Sequence, residues 1–227
     1  CNDQDFKNLM HVYLDAVFFP NIYEKEEIFC QEGWHYELED VDSPLTLNGV
    51  VYNEMKGAFS SPEDVLDREV FNSLFPDTPY GVESGGDPKC IPDLKYSEFL
   101  SFHSRYYHPS NSYIYLYGNM DAAERLNWMD EEYLSKYDAM PITSVIARQE
   151  PFDKMKELVM EYPITENEPE EQNSYLAYNV VTGDSLDVER CTAFEVLDYT
   201  LLSAPGAPVK QALLDAGMGK DIMGSYE

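Results

Sequence analysis

Basic residues are scarce in this chain: 15 Lys and Arg stand against 43 Asp and Glu, a formal net charge of -28. A surface of that sign repels phosphate backbones, which argues against nucleic acid as a partner. It attracts basic peptides at long range and equally serves solubility alone. No apolar run approaches the length of a membrane span, and no signal-peptide pattern opens the chain, so no membrane association is expected. The four cysteines, Cys1, Cys30, Cys90 and Cys191, form no C-x-x-C pair. That excludes a small disulfide framework and points to free thiols in a reducing compartment. None of the four histidines (His11, His35, His103, His108) lies three or four residues from another, so no local helical metal pair exists. G-x-S-x-G, P-loop and dinucleotide fingerprints are also missing, and serine or cysteine catalysis has no local support.

What is present is a globular composition: 44% hydrophobic and 14% aromatic, with 18 Tyr and 11 Phe. A length of 227 residues suffices for one large domain or two smaller ones. The pattern alternates helices and strands, an α+β class. Asn2 or Asp3 caps a first helix whose Phe6, Met10, Tyr13 and Val17 share a face. A second helix follows in IYEKEEIFCQE, and Trp34, Tyr36 and Leu38 then alternate with His35, Glu37 and Glu39 as in a half-buried strand. Asn48 is a candidate cap for the next helix, and Ser61-Pro62 opens another lined by Leu66, Val70 and Leu74. GVESGGDP is a loop, YSEFLSFHSRYY a helix stopped at His108-Pro109, and SYIYLYGN a strand. Asp121 with Glu124 starts a helix in capping-box fashion. Prolines and scattered polar residues mark a linker over 141–154, between domains at 1–140 and 155–227. The second domain opens with strands KELVMEYPI and NSYLAYNVV, then a long helix, a SAPGAP break, the short helix VKQALLDAG and a further strand at IMGSY.

One residue resists this plan. In GVVYNEMKGAF, residues 49–59, the apolar positions Leu47, Val50, Val51, Met55 and Ala58 fall on one helical stripe, and Glu54 falls on it too. An unpaired carboxylate on a buried face costs several kcal/mol, by rough estimate, unless it is protonated, paired or bound to metal. Glu54 is therefore an acid at the stripe's edge, an acid paired with Lys or Arg, or a metal ligand whose partners come from elsewhere. Zinc suits the last case, since nitrogen and oxygen ligands converge on it and leave one position for water.

Three motifs in order, GVVYNEMKGAFSSPEDVL, YGVESGGDPKCIPDL and FHSRYYHPSNSYIYLYGN, closely resemble the presequence-protease branch of the pitrilysin–insulinase zinc metallopeptidases. NLMHVYLDAVFFPNI and FCQEGWHYELED resemble it as well. The resemblance implies pitrilysin-like domains, with antiparallel-rich sheets covered on one face by helices, both domains incomplete here. It implies a parent metalloendopeptidase that degrades unfolded peptides by attack of a zinc-activated water. In that family an inverted H-x-x-E-H supplies two histidine ligands and the general-base glutamate, and the glutamate of an N-E-M-K-G-like helix supplies the third ligand. By resemblance that third ligand is Glu54. No H-x-x-E-H occurs in the 227 residues, so the chain holds one of three protein ligands and no catalytic residue. The segment alone is expected to be inactive and to need the remainder of its polypeptide. Its compartment follows the source, cytoplasmic if bacterial and otherwise an organellar matrix. A non-catalytic pitrilysin-like scaffold subunit is the alternative, against which the retained N-E-M-K-G argues.

Overall fold

The computed structural model describes residues 2–169, 171 and 173–226. By compactness the chain divides into two units, Cys1–Ala177 and Tyr178–Glu227. In the first unit, α1 (Asp3–Phe18) is capped by Asn2, whose side-chain oxygen accepts from the Asp5 N–H at 2.9 Å. The face it buries carries Met10, Leu14 and Phe18, not the expected Tyr13, which is exposed. The reason is its partner, α6 (Ala122–Glu132). Leu14 and Phe18 meet Met129 and Tyr133 there, with Trp128, Leu134 and Tyr137 packed around them. Two polar contacts fix the roll of α1: Arg125, 1% exposed, bonds Asp3, and the Tyr133 hydroxyl lies 2.8 Å from His11 Nδ1. Asp3, His11, Leu14 and Phe18 thus form one seam at helical spacing.

The short α2 (Glu26–Glu32) leads into β1 (His35–Glu37), which pairs antiparallel with β2 (Thr46–Asn48), Tyr36 opposite Leu47. Asp40 closes the connecting loop by accepting from the Asp42 and Ser43 N–H groups at 2.9 and 3.0 Å. The backbone bond from Asp42, followed by the Ser43 side chain, holds its carboxyl below the ordinary value. Next come α3 (Val50–Ala58) and α4 (Pro62–Leu74), the latter capped by Ser61 as its sequence predicts, Oγ accepting from the Asp64 N–H at 3.3 Å. After the loop region comes α5 (Tyr96–Tyr106), which ends before His108-Pro109. The cap expected at Asp121 forms, accepting from the Glu124 N–H at 3.1 Å.

Of the strands expected from the sequence, the one in WHYELE is paired, and the others are not seen in a sheet among the described residues. Among the described residues the only sheet is the two-stranded β1–β2, and the architecture is mixed but largely helical. Residues 113–117 run without a ladder partner, and so do 156–164 and 174–181. The last two segments do meet at one end, where the Tyr162 hydroxyl donates to the Asn173 carbonyl at 2.6 Å and its ring meets Tyr175 edge-on. A two-stranded hairpin is marginal unless its apolar face is covered, and Leu158, Val159 and Leu176 are all exposed. The acidic turn TENEPEEQ between them adds like charges. Residues 141–154, where the sequence places a linker, carry neither helix nor strand, and Gln149 bonds to Asp77 of the first unit.

In the second unit, α7 (Val188–Asp198) is capped by Asp187 and passes into a wider turn at Tyr199–Ser203 before α8 (Pro208–Asp215). Tyr226 stacks on Phe194 at 5.4 Å and bonds to Cys191. The chain exposes 17795 Å². A compact protein of 26.1 kDa exposes roughly 10,500 Å². Large apolar side chains, Val41, Val159 and Leu176 among them, are part of that exposed surface.

Candidate functional site

The candidate ligand Glu54 sits midway along α3, and the start of that helix is tightly built. Gly49 precedes it with φ +154°, and a Cβ there would lie 2.2 Å from the Gly33 carbonyl oxygen and 2.7 Å from Trp34 Cα. Only glycine fits such a backbone-to-backbone approach. The Tyr52 N–H, one of the donors a helix start leaves without a partner, bonds to that same Gly33 carbonyl at 3.3 Å. Asn48 does not cap the helix as expected but clamps it. Its oxygen accepts from the Gly49 N–H at 2.8 Å and from Asn53 at 2.6 Å, while its amide donates to Glu37 of β1 at 2.7 Å. These bonds tie the start of the helix to the hairpin.

Much of the stripe on which Glu54 lies is uncovered, although Leu47 and Met55 are half-buried. Val50 is 52% exposed, Val51, Glu54 and Ala58 are exposed too, and a Cβ added at Gly57 meets nothing within 4 Å. Glu54 forms no hydrogen bond or ion pair among the described residues. A solvated carboxylate carries no burial penalty, so the misfit seen in the sequence has no cost in this structure.

The donor set does not amount to a zinc site. No group of three or more His, Cys, Asp and Glu side chains comes together among the described residues. All four histidines are engaged in protein contacts. His11 lies against Tyr133, and His35 Nδ1 donates to the Cys30 carbonyl at 2.7 Å. His103 joins three elements: Nε2 donates to the Val17 carbonyl at 3.1 Å, Nδ1 accepts from the Tyr23 hydroxyl at 2.8 Å, and the ring stacks on Tyr107. His108 Nδ1 accepts from the Ser110 N–H at 3.1 Å. Zinc needs about three protein ligands, and among the described residues no second ligand side chain joins Glu54 in such a group. No catalytic step is therefore derived through the metal.

Sequence reading missed a groove beside α3, where Met55 and Ala58 of the same stripe contribute to the lining. Phe59, Phe71 of α4 and Tyr80 line it, together with Val82 from the loop read only as a turn. The signal was available in part, as aromatics at 71, 75 and 80 separated by one helical turn and a proline break, but their exposure cannot be read from spacing. Near the start of α4, Glu63 accepts from the Tyr175 hydroxyl at 2.9 Å. A bond from its own backbone N–H, then the one from Tyr175, hold its carboxyl below the ordinary value, and the Tyr175 phenol rises in turn.

Comparison with known proteins places these features in a family. A family model described as "Peptidase M16 inactive domain" matches residues 93–227, a range that does not include Glu54. Protein HypA of Clostridium perfringens is 51% identical over 226 residues, covering 100% of this chain and 23% of that protein. Presequence protease 1, chloroplastic/mitochondrial, of Arabidopsis thaliana is 41% identical over 227 residues, 99% of this chain and 21% of its own length. The mitochondrial presequence protease of Danio rerio is 37% identical over 229 residues, again 99% of this chain and 22% of the relative. The chain thus spans between a fifth and a quarter of the curated relatives it matches. No described helix is long and apolar enough to cross a membrane. With over half of its length matched to that model and whole-chain similarity to presequence proteases, the chain belongs to the M16 peptidase family.

Proposed function

We propose that this chain is one part of a zinc-dependent metalloendopeptidase that degrades unfolded peptides, and that it contributes the third zinc-ligand carboxylate, Glu54. The observation that carries this reading is the intact Asn53-Glu54-Met55-Lys56-Gly57 within a chain similar over its whole length to presequence proteases. The attachment of the start of α3 to the β1–β2 hairpin supports it, because a ligand needs a fixed backbone. So does the largely uncovered stripe around Glu54, which leaves that face open to residues from the remainder of the polypeptide. The two histidines and the general base lie in that remainder, and the 227 residues alone hydrolyse nothing. The names of two relatives, chloroplastic/mitochondrial and mitochondrial, support an organellar matrix as the compartment; for a bacterial source the proposed compartment is the cytoplasm.

The test is Glu54→Gln in the full-length polypeptide, measured by zinc content and by cleavage of an unstructured peptide. Gln keeps the shape and removes the charge. Zinc affinity should fall by at least about a hundredfold, more than the loss of a supporting residue brings, and cleavage should fall with it. Unchanged zinc content and cleavage would show that Glu54 is an ordinary surface acid.

A further inference from the structure

The groove beside α3 has the features of a built recognition site, with a volume of about 570 Å³, within the range of ligand pockets. Its walls are held independently of any ligand. On one side Met55 fills the space where Gly85 lacks a side chain, since a Cβ there would lie 2.3 Å from the Met55 sulfur. That contact lays the loop after Val82 onto α3. On the other side Gln149 makes two bonds to Asp77, accepting from its N–H at 2.9 Å and donating to its carboxylate at 2.7 Å. Ile146 is thereby held at the groove's edge. Behind the lining, Phe75 links two of its rings, lying 6.2 Å from Phe71 and 6.1 Å from Tyr80.

The chemistry of this lining is one-sided. Phe71, Tyr80, Val82 and Ile146 are all exposed apolar side chains. Beside them stand the carboxylates of Asp64, Asp67 and Glu83, and none of the three has a basic partner among the described residues. The one cation in the lining, Arg68, is already engaged. Its guanidinium lies 4.1 Å from the centre of the Phe59 ring and bonds Glu69 at 2.6 Å. Arg68 also shows that a guanidinium fits here against an aromatic face with a carboxylate beside it.

We propose that this groove is a peptide-recognition site that takes an aromatic or long aliphatic side chain of an extended peptide, with Lys or Arg next to it in sequence. The apolar walls receive the first and the unpaired carboxylates the second, in a chain whose net charge of -28 draws cations toward it. The inference rests on the peptidase reading for the class of ligand, and it names a surface that reading does not assign. The volume fits one or two side chains.

The experiment measures binding, so that cleavage does not enter it. The full-length polypeptide is treated with a chelator, and a fluorescently labelled, unstructured peptide containing Arg-Phe-Arg is titrated by anisotropy at physiological salt. Three peptides are compared: the parent, one with both Arg replaced by Gln, and one with Phe replaced by Ala. The protein variants are Asp64→Asn with Asp67→Asn, Val82→Ser, and Tyr80→Ala. The double Asn variant should weaken the parent peptide by about fivefold to tenfold, roughly twofold to threefold for each exposed carboxylate, and leave the Gln peptide unchanged. Val82→Ser and Tyr80→Ala should each weaken the parent peptide about threefold or more and leave the Ala peptide unchanged. If Tyr80→Ala fails to fold, Val82→Ser decides, since that side chain is exposed. Unchanged affinity in every folded variant overturns the proposal, whether because the groove is covered by the rest of the polypeptide or because attraction is diffuse. Weakening by the charge variant alone, erased by added salt, overturns it as well. Loss of zinc or cleavage in Glu54→Gln bears on the peptidase reading and leaves this binding result standing.

Discussion

Met129→Ala is the sharpest perturbation of the first unit. Met129 is 3% exposed and sits where α6 meets α1, among Leu14, Phe18 and Tyr133. Truncation removes three heavy atoms from a site whose neighbours are held. Tyr133 is bonded to His11, and Phe18 is wedged between Tyr133 and Tyr137. Little collapse into the void is possible, so the loss combines transfer and cavity contributions, about 3 kcal/mol within the usual span of roughly 2–5. Leu126, on the same helix and 52% exposed, is the control. Its truncation to Ala keeps helix propensity and should cost about 1 kcal/mol or less. Urea unfolding followed through Trp128 emission reports this interface directly, because that ring lies edge-on to Tyr133 at 5.9 Å. A Trp34→Phe background removes the only other tryptophan. With a slope of about 1–3 kcal/mol per molar urea, Met129→Ala should lower the midpoint by about 1 M or more. Equal midpoint shifts for the two variants would mean that α1 and α6 do not pack through this seam, and the argument for the first unit's core would fail.

Two further expectations follow from local geometry. Gly49→Ala places a methyl group against the backbone of Gly33 and Trp34, which cannot yield as a flexible side chain can. It should cost about 2 kcal/mol or more, read as a lower thermal midpoint, whereas Gly57→Ala, with open space around it, should be neutral or slightly stabilising. Burial lifts the phenols of Tyr23, Tyr133 and Tyr137 above their ordinary value of 10.0, with Asp15 and Glu132 adding to the rise at Tyr133. A folded-state value above the unfolded one means that the contribution is complete below about pH 10 and is lost as pH rises beyond it. Stability should therefore be level up to that point and then fall, less steeply in Tyr133→Phe or Tyr137→Phe. Tyrosinate absorbance during an alkaline titration checks this.

Helix starts were legible because their chemistry is local. Ser61 before Pro62, and Asp121 three residues before Glu124, place an acceptor beside orphan N–H groups whatever the rest of the chain does. The face of α1 was less legible. Phe6, Met10, Tyr13 and Val17 and the observed Met10, Leu14 and Phe18 are both acceptable helical stripes. The choice between them fell to Arg125 and Tyr133, more than a hundred residues away. At the site, the position of Glu54 on a helix was readable and its surroundings were not. Exposure depends on what lies over α3, and periodicity says nothing about that.

The strands show why. Tyr113, Tyr115 and Tyr117 alternate in sequence with Ile114 and Leu116, and the three tyrosines are at least 82% exposed. Such a run is suited to a sheet that is covered on both faces. Here it has no ladder partner among the described residues. The same holds at 156–164 and 174–181. β-propensity describes a fit to neighbours and not a preference of the backbone alone, so a strand pattern read from sequence is a statement about partners. Where the partner is near in the chain, as for His35–Glu37 and Thr46–Asn48, the strand forms. Elsewhere the pattern remains as exposed apolar surface, and the 17795 Å² of the chain measures how much is left uncovered. On the reading proposed above, the remainder of the polypeptide covers that surface and completes the ligand set around Glu54. One addition would then satisfy both the unpaired strands and the lone carboxylate.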